Sequence, residues 1–89
     1  MLSPRGTFAN AEVAIAFTLG RAGGVTVKVY NRAGRLVRDV LSSQPLGAGA
    51  NLVRWDGRDG HGAIVSDGLY LVSVEALGHR RTQTLAVVR

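Results

Sequence analysis

Two carboxylates, an imidazole and an indole crowd into Trp55-Asp56-Gly57-Arg58-Asp59-Gly60-His61. Carboxylates at short spacing between glycines can hold a hard cation, so Asp56 and Asp59 are the candidate metal ligands of this chain. A calcium loop needs more than they offer. The third carboxylate and the bidentate glutamate are missing, and Arg58 stands between the two aspartates. Aspartates in glycine-rich turns also accept hydrogen bonds from their own backbone, and that is the expected role here. The wider pattern runs Trp55-Asp56-Gly57, Asp59, Gly62, Val65, Gly68, Tyr70. It reads as a structural motif. Trp55 offers a large apolar body whose N–H needs an acceptor. The glycines let the chain reverse. Tyr70 follows a glycine near the start of a strand, where its hydroxyl can tie down a connecting loop.

Other chemistry has little to work with. His61 and His79 are the only imidazoles, and their spacing does not suit zinc. Ser3, Ser42, Ser43, Ser66 and Ser73 do not lie in a Gly-x-Ser-x-Gly elbow. No glycine-rich loop opens a helix to cradle a phosphate. No catalytic residue, cofactor or small-molecule substrate is therefore assigned, and the chain is expected not to be an enzyme.

The elements that must position this corner are strands. In Glu12–Leu19, the residues Val13, Ile15, Phe17 and Leu19 alternate onto one face. Val25–Tyr30 alternates three valines with Thr26, Lys28 and Tyr30, a β-branched density that favours a strand. In Arg35–Leu41 the apolar residues at 36, 37, 40 and 41 also fit a helical turn, and the run is read as a strand with a bulge. Asn51–Trp55 turns Val53 and Trp55 inward, and Ala63–Val65 is a very short strand. Leu69–Ala76 has Tyr70, Val72 and Val74 inward, and Thr82–Val88 has Leu85 and Val87 inward. About seven short strands with turns every 8–12 residues predict an all-β, immunoglobulin-like (fibronectin III-like) antiparallel sandwich. Residues 1–11 read as a lead-in or linker, with Phe8 tucked against the core edge, and residues 12–89 as the domain.

Composition narrows the setting. Eighty-nine residues make one domain, and 46% hydrophobic content suffices for one core. Cysteine is absent, so disulfides and thiolate metal sites are excluded. No run approaches the roughly 18 apolar residues of a membrane span. Met1–Gly6 has no apolar h-region, which fits either a cytosolic chain or part of a longer exported one. The net charge is +5, but only Arg80 and Arg81 are adjacent arginines. Dispersed charge reads as solvated strand faces rather than a polyanion site.

Several runs together carry a family resemblance: Ile15–Leu19, Val25–Arg38, Leu46-Gly47-Ala48-Gly49, Val53–Asp59 and Ser66–Tyr70. They resemble the FlgD-type immunoglobulin-like domain. This is the module of the flagellar hook-capping protein and of related C-terminal modules, including type-A sorting domains, of secreted bacterial proteins. The lead-in Leu2–Asn10 matches the Tyr/Phe-Pro-Asn-Pro-Phe start of sorting modules only loosely. The resemblance implies a non-catalytic module of an exported protein, extracellular or on the cell surface. Its work would be secretion targeting, surface attachment or extracellular assembly, with protein partners or its own copies joined through edge strands. The alternative is a hook-assembly scaffold domain. A polyanion-binding module is a further reading, for which nucleic acid lacks interleaved aromatics to stack on.

Overall fold

A computed structural model describes the backbone of residues 3–6 and, in full, residues 13–87. Seven strands appear in chain order. They are β1 (Ser3–Gly6), β2 (Val13–Leu19), β3 (Gly23–Asn31), β4 (Leu36–Leu46), β5 (Gly49–Trp55), β6 (Gly68–Ala76) and β7 (His79–Val87). They form two antiparallel sheets, ordered β1-β2-β5 and β4-β3-β6-β7. The chain therefore changes sheet at β2–β3, β4–β5 and β5–β6, as an immunoglobulin-like sandwich requires.

The alternation of the sequence becomes the core. Val13, Ile15, Phe17 and Leu19 of β2 face Val25, Val27 and Val29 of β3, with Val72 and Val74 of β6 and Leu85 and Val87 of β7 beside them. Val53 and Trp55 of β5 complete it. Ile15 and the three β3 valines are fully buried. Such burial is worth roughly 1.5–3 kcal/mol per side chain, which is what a domain with so little interior depends on.

Three elements differ from the sequence reading. Ser3–Gly6, within the lead-in, pairs with Val13–Ala16 of β2 as β1. Ala63–Val65 is too short to pair as a strand, and Ile64 makes only an isolated bridge with Arg58. β7 begins at His79, which pairs directly with Ala76. The turn is therefore Leu77-Gly78, both at positive φ, the geometry of a two-residue hairpin loop. Phe8, Glu12 and Val88 lie outside the described residues.

The bulge expected in the third run is present. The β3–β4 register shifts at several points, and Ser43 sits at φ 49°. These irregularities let the neighbours Val40 and Leu41 both pack partly against the core. β4 also continues to Leu46 through Pro45, which an edge strand tolerates because one side of its backbone needs no partner.

Candidate functional site

The corner singled out by the sequence joins β5 to β6. Trp55 closes β5 with its ring 1% exposed, and its Nε1–H donates to the Arg58 carbonyl at 2.9 Å. Tyr70 enters β6 from the opposite sheet. Its ring meets that of Trp55 edge-on, with centroids 6.0 Å apart. Its hydroxyl donates to the Ser66 carbonyl at 2.6 Å, four residues upstream, and so pins the end of the loop. The two aromatic residues thus each spend a polar tip on loop backbone while filling the core.

The aspartates cap the loop between them. Asp56 Oδ1 accepts the backbone N–H of Arg58 at 3.0 Å. Asp59 Oδ1 accepts the N–H groups of His61 at 2.8 Å and Ala63 at 3.0 Å. The Asp59 N–H donates to the Ala63 carbonyl, and that of Gly62 to the Asp59 carbonyl, so residues 59–63 close on themselves. The backbone N–H of His61, then that of Ala63, hold the Asp59 carboxyl below its ordinary pKa, because both bonds favour the charged form. Gly57 at φ 72° and Gly62 at φ 85° make the reversals that a side chain would strain. The Val65 N–H reaches back to the Gly57 carbonyl, which seats Val65 in the core.

Sequence reasoning missed the residue that joins this loop to the rest of the sandwich. Arg38, on β4, directs Nη1 to Asp56 Oδ1 at 3.3 Å, the Arg58 carbonyl at 3.1 Å and the Asp59 carbonyl at 3.4 Å. The Gly60 N–H donates to the Val37 carbonyl alongside. Arg58 folds back to the Gly62 carbonyl at 2.9 Å. No local signal marks Arg38, since its partners lie 18–21 residues away.

The structure therefore brings Trp55, Asp56, Gly57, Asp59, Gly62, Gly68 and Tyr70 together at one corner. The two candidate cation ligands, Asp56 and Asp59, are both occupied in capping. No group of three or more His, Cys, Asp or Glu side chains gathers in metal-binding proximity among the described residues. His61 lies in the loop, and His79 opens β7. No buried side-chain polar atom among the described residues lacks a partner. What the arrangement does chemically is hold a loop, with Trp55 and Tyr70 buried beneath it.

A family model for the FlgD Ig-like domain matches residues 3–79. This chain belongs to the FlgD Ig-like domain family. Two crystal structures share the sandwich of this FlgD Ig-like domain. FLGD from P. aeruginosa is 24% identical with a TM-score of 0.67, over 89% of this chain and 64% of that one. Dimeric latent PorU from Porphyromonas gingivalis is 20% identical with a TM-score of 0.65, over 98% of this chain and 9% of that one. This chain thus spans under two thirds of the first and a small fraction of the second. A search of the curated proteins finds no match.

Proposed function

We propose that this FlgD Ig-like domain is a non-catalytic interaction module of an exported bacterial protein, acting at or outside the cell surface in targeting, attachment or assembly. One observation carries the reading: the polar groups that could have formed a site are turned onto their own backbone at the Trp55–Tyr70 corner. An acid–base or nucleophilic centre needs such groups free and converging on open space. What remains for function is the surface of the two sheets and their edges. FlgD-like domains being non-enzymatic scaffold modules supports the same reading.

The edges are not equivalent. β4 is interrupted by its bulges, by Ser43 and by Pro45, devices that blunt strand pairing. β7 keeps an unbroken register with β6 and exposes His79–Thr84. Within the four-stranded sheet, β7 is therefore the edge better suited to strand addition, into oligomers or onto a partner. Light scattering on a size-exclusion column tests the self-associating form, and a strict monomer at high concentration removes it.

A hook-assembly scaffold is the second reading. Family membership and the fold shared with FLGD support it. In-frame deletion of residues 13–87 from the chromosomal gene tests both. Loss of surface location or assembly of the protein that carries them is expected under the first reading, and loss of hooks and motility under the second. Normal export, assembly and motility would sink both. Genes for hook or flagellar proteins beside this one would favour the second.

A further inference from the structure

At the end of the sandwich away from the Trp55–Tyr70 corner, a hollow of about 220 Å³ opens between the sheets. Phe17 and Leu19 of β2 and Val74 and Ala76 of β6 line it, and all four belong to the core or pack against it. The core is therefore open to solvent at this end. Backbone is open there too. β1 pairs with Val13–Ala16 only, so the β1 side of Phe17–Leu19 has no strand partner among the described residues.

Two further observations mark the hollow as more than a packing gap. The first is Leu77, part of its wall, at φ 55° in the turn between β6 and β7. That left-handed conformation suits glycine or asparagine and strains a leucine. Gly23 makes room for it, since a Cβ there would come within 2.7 Å of Leu77 Cδ2. Strained residues are kept where a site needs them. The second is charge. Arg81 and His79 stand in register with Val74 and Ala76, on the inward face of β7, and line the hollow. Arg81 has no carboxylate partner among the described residues, and no acidic residue lines the hollow. Its neighbour Arg80 belongs to the other face, in register with Glu75.

These features specify a ligand. A cavity of about 150 Å³ holds a benzene ring, so the space takes one side chain of leucine or phenylalanine size and not a long acyl tail. An arginine with no countercharge beside it calls for a carboxylate, which it can bind through two hydrogen bonds. The open backbone of β2 calls for a peptide group, which a free organic acid lacks. We infer that the hollow captures the C-terminal residue of another polypeptide chain. Its apolar side chain enters between the sheets, its carboxylate meets Arg81 and His79, and its last peptide group lies along Phe17–Leu19. The inference rests on the interaction-module reading and names the chemistry of what is bound.

The test titrates three probes into the isotope-labelled chain, followed by amide NMR. They are a hexapeptide ending in leucine with a free carboxyl, the same peptide amidated, and 4-methylpentanoate. The free-acid peptide is expected to bind most tightly, with shifts on Gly20, Leu77, His79 and Arg81. The amidated peptide should bind at least about tenfold more weakly, having lost the charge that Arg81 meets. Arg81→Gln should erase that difference, and Arg80→Gln, one position away on the other face, should preserve it. Leu77→Asn suits the turn better and removes the wall. It should weaken the free-acid peptide several-fold without lowering the thermal midpoint. The amide spectrum of each variant reports whether it folds.

Equal binding of the free-acid and amidated peptides, or shifts elsewhere, would overturn the inference. Equally tight binding of 4-methylpentanoate would make the ligand a free acid. Binding that appears only after Met1 and Leu2 are removed would make the chain's own N-terminal residues the occupant. A lower midpoint with unchanged binding in Leu77→Asn would assign Leu77 to the fold. Each of these results rejects the chain-end site and leaves the module reading standing. Normal export, assembly and motility after deletion of residues 13–87 would remove that reading itself.

Discussion

The Trp55–Tyr70 corner and the outer face of the four-stranded sheet invert each other's appearance. The corner is rich in residues that could do chemistry, and its structure consumes them. Trp55, Tyr70, Asp56 and Asp59 all bond to loop backbone within a few residues. The outer face carries its charged residues in cross-strand register, Lys28 with Asp39 and Glu75 with Arg80, and leaves Leu36, Leu69, Leu71 and Arg32 to solvent. A recognisable motif can thus mark what a fold needs, while an exposed apolar row is gathered from several strands only by their register. Buried polar groups must be satisfied wherever they lie, so a corner that crosses between sheets demands special residues. An outward row demands only that certain positions be apolar.

The comparison breaks most readily at Trp55. Truncating it to alanine removes a fully buried ring, its contact with Tyr70 and the anchor on the Arg58 carbonyl. The expected loss is about 3–5 kcal/mol, against a total of roughly 5–13 kcal/mol for a chain this long. Urea denaturation should show a largely unfolded or barely folded variant. A loss under about 1 kcal/mol would mean that the corner is not structural.

Tyr70→Phe isolates one hydrogen bond. The ring and its contact with Trp55 remain, and the Ser66 carbonyl loses its donor. A loss of about 1–2 kcal/mol is expected from the shift in denaturation midpoint. Arg38→Ala comes next. Its guanidinium is a third exposed and its ion pair with Asp56 is screened, so the loss should be about 1 kcal/mol or less. Amide exchange at residues 56–63 should rise more than elsewhere, because Arg38 ties this loop to β4. Uniform exchange would show that the loop holds itself.

Asp59 gives a pH signature. Its carboxyl is held low in the folded state by the backbone N–H groups of His61 and Ala63. The folded chain therefore binds this proton less tightly than the unfolded one. The stability it contributes is complete above the ordinary carboxylate pKa and is lost as pH falls through the lowered value. The denaturation midpoint should fall on acidification, and Asp59→Asn should flatten that fall. An unchanged pH profile in Asp59→Asn would show that the caps do not depend on charge.

The sequence was legible where one strand's own alternation decides its state. Val13, Ile15, Phe17 and Leu19 could face only one core, and the valines of β3 read the same way. Tyr70 and the glycines marked the corner because turns and aromatic anchors restrict residue type. β1 was not legible, because Ser3-Pro4-Arg5-Gly6 has no intrinsic strand preference and pairs only because the β2 edge is there to receive it. Arg38 was equally silent, since only the tertiary fold lays β4 beside residues 56–59. The outer patch needed register as well as alternation. Tyr30, Leu36 and Leu71 look like unrelated outward residues until the pairing of β4, β3 and β6 sets them in one row.

The smallest expected effect is the most discriminating. Leu71→Lys changes a large aliphatic residue into a charged one in the middle of a strand. If the outer face is free surface, the lysine stem lies along the sheet and its ammonium reaches water. Stability should then stay within about 0.5 kcal/mol, as for a surface change away from core or caps. Leu71 shares β6 with Val72, one position on, which is fully buried. Val72→Lys would place the same charge inside the sandwich and should prevent folding, so the pair measures how sharply the strand divides inside from outside. A loss above about 1 kcal/mol in Leu71→Lys would assign Leu71 to the core. The apolar row would then hold the sheet together, and the contrast between a structural corner and a surface open to partners would fail.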